Sequence, residues 1–456
     1  MSHDMSQADS TNLEEQSKAH YDIVVMGAGM TGLTLAYELN QIGLKVCVLE
    51  EYETAGGNHI SDNIDGMSFD IGAIFHWSNG LLFKMFPGLL SESVPVHWRT
   101  DRINPDGEVR SYPYEIKSEL LSKPISEIVQ TFASLLKNRI FPPKKTSAEA
   151  FLHHYLGKEL TRSSGIERYV ERFYGLHPRD VSYDFARARM FHIVQGTSVS
   201  RRIAHIFSKL FKNTPTAPQS RCLARPVQGF PYFYQIAIDQ LRADGVTVKL
   251  NCETQKIEKH SSGFKVSNEF EQISSDRLFN TIPLEHVAEK VGIKTSAIPT
   301  SLQLYSLYFK FKGELGFEGP ILYNFQREGL WKRLTLHSQY YGSVDGWSYF
   351  SVETTVHLDD CKDLQACEDD FRDSIRNVDI LNGELKLVGH RQTDFAYPLY
   401  EHNVSARRQS IIEQLEALGI ESAGRQGRFE YLPVTYYAVV SAKDAIERSG
   451  IKLSAE

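Results

Sequence analysis

Between Tyr21 and Glu50 the chain reads YDIVVMGAGMTGLTLAYELNQIGLKVCVLE, and few folds accommodate that order. Ile23 to Met26 is a short apolar run, a helix-period segment follows a glycine cluster, and Val46 to Leu49 is a second apolar run. Together they spell strand, turn, helix, strand over about 30 residues. Gly27, Gly29 and Gly32 carry the spacing G-x-G-x-x-G. The first permits a tight turn, the second lets backbone approach a pyrophosphate, and the third lets helix and strand pack closely. Amides at the helix start, beside Met30 and Thr31, then face an anion along the favourable end of the helix dipole. Glu50 ends the second strand, placed to accept hydrogen bonds from adenosine ribose hydroxyls, with Glu51 beside it. A carboxylate there repels a 2′-phosphate, so NADP is disfavoured and another dinucleotide is expected.

The rest of the composition narrows the class. A chain of 456 residues, 41% hydrophobic and 23% charged, is a folded protein with a sizeable core. Fifty Lys plus Arg against 57 Asp plus Glu leave −7, without the positive field of a nucleic-acid binder, so an anionic ligand must be met by local basic residues. Five scattered cysteines without a Cys-x-x-Cys pair speak against a disulfide framework and a zinc site, and point to a reducing, cytoplasmic setting. Residues 1–20 are polar, lack a secretory pattern, and read as a mobile tail. No stretch reaches the ~18 to 20 apolar residues of a membrane span, and no apolar helix suited to a membrane surface is evident.

Downstream of Glu50 come Gly56, Gly57 and Asn58, then Phe69-Asp70-Ile71-Gly72-Ala73. Gly56 and Gly57 could serve as turn residues alone. An acid, a short spacer, Gly-Gly and a later Asp-x-Gly nevertheless resemble the flavin superfamily that holds amine oxidases, protoporphyrinogen oxidase and UDP-galactopyranose mutase. The resemblance implies FAD, with these glycines close to the flavin and its phosphates.

Along the chain, residues 21–117 read as a first part of the cofactor domain, ending in a hairpin-like stretch from Val96 to Tyr114 with a turn at Asp106-Gly107. Residues 118–212 read as a helical domain. In it Ile125–Arg139 places Ile128, Val129, Phe132, Leu135 and Leu136 at helical spacing, and Ala148–Leu156 and Ile166–Tyr174 follow. The Pro- and Thr-rich segment 213–220 reads as a boundary. Residues 221–290 read as a second part of the cofactor domain: a helix Gly229–Leu241, then strands Val246–Leu250, Thr254–Glu258 and Leu278–Pro283. Residues 291–405 alternate as half-buried strands in Ser301–Lys312, Leu330–Tyr340 and Ser348–His357, and residues 406–456 return to the cofactor domain with a helix Val439–Glu447. The expected class is α/β: a Rossmann-like FAD-binding domain with a helical insertion domain and an antiparallel β-sheet substrate domain.

Gly424-Arg425-Gln426-Gly427, followed by Tyr431-Leu432 and a helix, resembles the C-terminal flavin-contacting motif of UDP-galactopyranose mutases. From that resemblance Gly424, Arg425, Tyr431 and Leu432 would contact the flavin, and Thr254 would lie near the adenine. Trp331-Lys332-Arg333-Leu334-Thr335 resembles the mutase strand that bears one of two diphosphate-gripping arginines, with Arg333 at that position. The second would follow Tyr174-Gly175 as Arg189 or, with a different gap, Arg187. Tyr397, in Ala396-Tyr397-Pro398, would contact phosphate, and Phe75-His76 resembles the loop on the flavin face. The strand's alternation puts Leu330, Leu334 and Leu336 on one face, with Lys332 the exception. Trp331, Arg333, Thr335 and His337 share the other, expected to meet solvent or ligand. Guanidinium suits a diphosphate because it offers a permanently charged, planar fork of donors. Two features depart from the family: Pro433 stands where bacterial members carry Asp, and the Gly72–His76 loop is about one residue shorter.

The resemblance implies a mutase that interconverts pyranose and furanose forms of a UDP-sugar through attachment of the sugar to N5 of reduced FAD. It places the protein in polysaccharide or glycan-precursor synthesis, with a nucleotide sugar as partner and a homodimer among the forms the family offers. Catalytic candidates are Arg189, Arg333, His76, Tyr397 and Tyr431, and no metal is expected. The alternative is an FAD-dependent oxidoreductase desaturating a small organic substrate, and a third reading is a non-catalytic flavin or nucleotide binder.

Overall fold

The computed structural model describes residues 19–112, 125–141, 144–190, 221–294, 301–357, 363–402, 404–432 and 434–453. Residues 1–18 of the N-terminal tail, the 213–220 boundary, Cys361 and Pro433 lie outside them, while His20, read as the end of the tail, opens the first strand.

The Tyr21–Glu50 unit forms as its pattern requires: strand His20–Met26, helix Met30–Gln41, strand Val46–Leu49. The two strands are parallel and central in a seven-stranded sheet ordered Thr247–Lys249, Val46–Leu49, His20–Met26, Gln272–Asn280, Gly263–Ser267, Lys256–His260, with Ile420–Ser422 added alongside Gln272–Asn280. Both central strands are apolar because helices cover both sheet faces. Helix Phe230–Ala243 supplies Phe230, Phe233, Tyr234 and Ile238 to the same core as Ile23, Val25, Leu33 and Val48. The C-terminal helix Thr435–Arg448 adds Val439, Ala442 and Ile446 to it. Chain segments far apart in sequence therefore close one cofactor sheet.

A second seven-stranded sheet runs Leu381–Pro398, Ser301–Leu315, Ser348–Val356, Trp331–Leu336, Ile321–Asn324, Thr100–Ile103, Val109–Ser111. Its last two members come from the stretch read as part of the cofactor segment. Thr100–Ile103 pairs parallel to Ile321–Asn324, while Val94–Val96 leaves the expected hairpin to pair with Cys222–Ala224. Several boundaries differ from the sequence reading. The strand expected over Leu330–Tyr340 stops at Leu336 and turns into a helical turn, Ser338–Tyr341. The one expected at Leu278–Pro283 begins earlier, at Gln272, and ends at Asn280. The strand expected from Thr254 starts at Lys256.

The helical segment contains Ile125–Ile140, Ala148–Leu156, Lys158–Ser163, Ile166–Tyr174 and Tyr183–Arg189. Ile166–Tyr174 turns Tyr169, Val170 and Phe173 inward, and the Phe173 ring reaches Tyr397 at 5.0 Å between centroids. The helices thus touch the second sheet where that sheet meets the Rossmann unit.

Candidate active site between the two sheets

Gly27 has φ 96°, and its N–H donates to the Leu49 carbonyl at 2.7 Å, which folds the first turn back over the second strand. A side chain on Gly32 would run into the Gly27 carbonyl oxygen, so the helix can start only this close to the strand because the position is glycine. Gly29 faces Gly57, whose Cα would lie 4.0 Å from an added Cβ, and Gly56 N–H donates to the Ala28 carbonyl at 3.1 Å. The glycine pair thus closes the phosphate-side turn, and Gly56 is the tighter of the two: a Cβ there would sit 2.9 Å from the Tyr234 ring. Glu50 is buried, and its carboxylate accepts from Ala28 N–H at 2.7 Å and Tyr52 N–H at 3.2 Å. Burial raises its pKa against those two bonds. Cys252 N–H donates to the Glu50 carbonyl at 2.8 Å, which draws the segment holding buried Thr254 to the end of the second strand.

The late motif joins the two sheets. Asn58 Nδ2 and Gln426 Nε2 both donate to the Phe395 carbonyl, at 3.1 and 2.7 Å, and Arg425 Nη2 donates to Ala396 O at 2.7 Å. Phe395 itself holds φ 52°, a costly conformation for a bulky side chain, kept by these three bonds around its carbonyl and the next. A Cβ on Gly424 would meet Thr31 Oγ1 at 2.6 Å, so the Gly424–Gly427 turn lies against the start of the first helix.

Behind this joint is a buried charge cluster. Arg333 Nε donates to Glu353, and Lys332 Nζ lies 3.4 Å from the other carboxylate oxygen, with Lys332 and Glu353 fully buried. Lys332 sits 3.9 Å from the centroid of Tyr397 and 4.3 Å from that of Phe173, and the Arg425 guanidinium is 4.7 Å from Tyr397. Gly72 borders the cluster: a Cβ there would be 2.7 Å from Arg333 Nη2 and 2.9 Å from Glu353 Oε1. Lys332 and Arg333 therefore share one buried carboxylate, and Arg425 lies over the same Tyr397 ring as Lys332, a local gathering of basic groups in a chain that is negative overall.

The strand alternation explains why Lys332 looked anomalous. Trp331 pairs with Thr354 and Arg333 with Glu353, so Lys332 is an extra residue in a β-bulge. The bulge shifts the alternation by one. Trp331 joins Leu334 and Leu336 in the apolar core, while Lys332 and Arg333 both reach Glu353 on the opposite side. The expected partition, with Trp331 beside Arg333 on a face open to solvent or ligand, is thus corrected. Lys332, Thr335 and His337 are buried, and that face abuts the Rossmann-side loop rather than water.

His76 is buried, stacked on Phe233 at 5.3 Å, and its Nδ1 is 2.9 Å from Thr435 Oγ1, at the start of the C-terminal helix. Burial lowers its pKa to about 4, which keeps the ring neutral at physiological pH. The neighbouring His59, 6.1 Å away, hydrogen-bonds Tyr234 and is pushed down to about 3, by burial first and then by His76. Tyr431 packs edge-on against Phe185 at 5.2 Å, and Phe185 stacks on Tyr400 at 4.0 Å, an aromatic wall beyond Tyr397. Ala73 and Phe75 pack against the core of the helical and Rossmann segments. Arg189 closes helix Tyr183–Arg189, with its side chain outside the description, and Arg187, the alternative, is exposed.

Sequence reasoning missed Glu353, Lys332 as a site residue, and the Asp70–Arg225 pair. Arg225 is wholly buried and reaches Asp70 through Nε at 2.8 Å and Nη2 at 2.7 Å; burial lifts Asp70 to about 6 against that pairing. Asp70 was visible as the acid of the Asp-x-Gly pattern, but its partner lies 155 residues away. Lys332 was flagged only as a break in alternation.

Do these residues suit a flavin dinucleotide? His76 Nε2 and Arg425 Nε are buried nitrogens without a hydrogen-bond partner; Arg425 Nε asks for an acceptor, and His76 Nε2 for a donor or an acceptor according to its tautomer. They lie around a glycine-lined turn with a buried ribose-side carboxylate, which fits a flavin with its pyrophosphate.

The comparisons with known proteins agree. Residues 25–88 match the NAD(P)-binding Rossmann-like domain family. The reduced UDP-galactopyranose mutase superposes with a TM-score of 0.74 over 94% of both chains at 16% identity. The chain has the fold of the amine-oxidase-like flavoprotein superfamily. Cyclohexylamine oxidase from Brevibacterium oxydans shares that fold, with a TM-score of 0.60 over 94% of this chain and 98% of its own, at 14% identity. By sequence, a pseudooxynicotine dehydrogenase from a Pseudomonas species is 35% identical over 97 residues, 19% of each chain. The chain thus spans about a fifth of that relative's length in the match. The α/β class and the dinucleotide-binding unit expected from the sequence stand, with FAD as the cofactor type of this fold. Among the described residues no helix is long and apolar enough to cross a membrane.

Lys332 offers a test of the cluster. Burial, and then the nearby arginines, lower its pKa from 10.5 to about 7, partly opposed by Glu353. Between these values the unfolded chain holds a proton that the folded chain has released, so stability from this group rises with pH across that window and is lowest below about 7. Unfolding free energy should climb by up to about 1.4 kcal/mol per pH unit more in the parent than in Lys332→Met. Equal slopes in urea titrations at pH 7 and 9 would mean Lys332 keeps its proton throughout.

Proposed function

We propose that this protein is an FAD-dependent mutase that interconverts pyranose and furanose forms of a UDP-sugar. One observation carries the reading: Lys332, Arg333 and Arg425 converge on Tyr397 beside Gly72, at the joint of the Rossmann sheet and the second sheet. A cationic, aromatic-bordered cluster next to a flavin would suit an anionic leaving group better than a neutral amine or a polyene. The likeness to UDP-galactopyranose mutase over most of the chain supports it.

Gly27, Gly29, Gly32 and the amides of Met30 and Thr31 would hold the pyrophosphate, and Glu50 the ribose, with Thr254 on the adenine side. Gly56, Gly57, Asn58, Gly72, Ala73, Gly424, Arg425, Tyr431 and Leu432 would line the flavin. Reduced flavin, when bound, supplies a nucleophilic nitrogen for the anomeric carbon. Arg333, with Nε tied to Glu353 and Nη2 against Gly72, would meet the negative charge that builds on the departing diphosphate. Lys332 adds charge from behind Tyr397, and Tyr397 can donate its hydroxyl to a phosphate oxygen. His76, held neutral and fixed by Thr435, orients on the cofactor without adding a charge. Arg189 is the candidate second grip on the diphosphate.

A flavin oxidoreductase is the second reading, favoured by the dehydrogenase named in the local sequence match. Turnover separates the two. Anaerobic, dithionite-reduced protein should isomerise UDP-galactofuranose or another UDP-sugar, and the oxidised protein should not. Sustained O2 consumption with an amine, and no isomerisation in either state, would overturn the mutase reading.

A further inference from the structure

The helix Ile125–Ile140 is mounted the wrong way round for a soluble protein. Helical periodicity predicts that its apolar residues face the core, but Val129, Phe132, Leu136 and Ile140 are each about 60% exposed, and Phe141 just beyond is 72% exposed. Its inward side is partly polar. Thr131 is buried, Asn138 Nδ2 donates to the His153 carbonyl at 2.7 Å, and Ser134 Oγ accepts from Lys158 N–H at 3.0 Å. The polar side anchors the helix to its neighbours and the apolar stripe is presented outward. A stripe of this size on a surface marks an interaction site.

We propose that this face docks on the surface of a bilayer carrying anionic headgroups. Sixteen residues make a rod about 24 Å long that can lie flat at the level of the headgroups with its apolar stripe sunk among the acyl chains. Exposed Lys137, Lys144 and Lys145 edge the stripe at its C-terminal end. An apolar face bordered by lysines is the composition of an interfacial helix. Anionic headgroups supply the counter-charge for these lysines. The proposal departs from the sequence expectation that no helix suits a membrane surface, and it is independent of which reaction the flavin site performs.

Flotation of the full-length flavoprotein with vesicles tests it, using pure phosphatidylcholine and phosphatidylcholine with one third phosphatidylglycerol. The protein should float with the anionic vesicles and be released by high salt. Phe132→Glu with Leu136→Glu should lower partitioning by roughly 100-fold or more. Lys144→Ala with Lys145→Ala should lower it roughly 10-fold or more on anionic vesicles only. Because these side chains are exposed, the melting temperature should not move, which separates lost docking from lost folding. Failure to float on either vesicle overturns the proposal. So does a stable dimer in sedimentation velocity that Phe132→Glu with Leu136→Glu dissolves, since the stripe would then be covered by a second copy.

Discussion

Glu353→Ala should destabilise the protein by about 3 to 5 kcal/mol, the largest loss expected of any single substitution in the charge cluster. The carboxylate is fully buried and lies between the ammonium of Lys332 and the guanidinium of Arg333. Its removal strands the Arg333 guanidinium in a medium that does not solvate it and takes away the charge that favours a proton on Lys332, and the cost is that of the abandoned charge rather than of the lost contact. Because Lys332 can shed its proton near pH 7, the deficit should shrink as pH rises and Lys332 becomes neutral. Combining Glu353→Ala with Lys332→Met should restore part of the loss, since one stranded cation is then replaced by an apolar chain. Urea midpoints of the parent, both single variants and the double variant measure this directly. A cost under about 1 kcal/mol for Glu353→Ala would mean that the cluster is hydrated and the ion pair is not a buried one.

How much of this arrangement was legible beforehand depended on whether the physics was local. The Gly27–Gly32 turn, the parallel strands and Glu50 could be read because every constraint lies within one βαβ unit, where spacing alone fixes geometry. The exposed stripe of Ile125–Ile140 was legible as a helix and not as an orientation. Periodicity says which residues share a face, whereas the direction of that face depends on Asn138 and Ser134 finding partners on neighbouring helices. Lys332 was hidden by its bulge: one extra residue reverses which side chains point together, and a period-2 reading carries no sign of it. Glu353 was hidden for another reason. It is one acid among 57, unremarked by any motif, and becomes important only because the Ser348–Val356 strand sets it opposite Arg333. Arg225 shows the same limit, ordinary in sequence and paired with Asp70 of the Asp-x-Gly pattern only by the fold. The Rossmann half of the candidate site was therefore written in short-range sequence, and the buried charge cluster in the register between strands.

The direct test of the account is a UDP titration of the flavin absorbance in the parent and in Arg333→Ala. Arg333 is held by Glu353 through Nε, and in its absence Lys332 still compensates Glu353, so the variant should fold and keep its full complement of flavin. Loss of charge-assisted contacts to a diphosphate is worth ~1.5 to 3 kcal/mol, which corresponds to a Kd for UDP weaker by roughly 10- to 100-fold. The account predicts that UDP perturbs the flavin spectrum of the parent and that Arg333→Ala weakens this to that extent at unchanged flavin content. A parent whose flavin does not respond to UDP, or a variant that binds UDP as tightly as the parent, would contradict it.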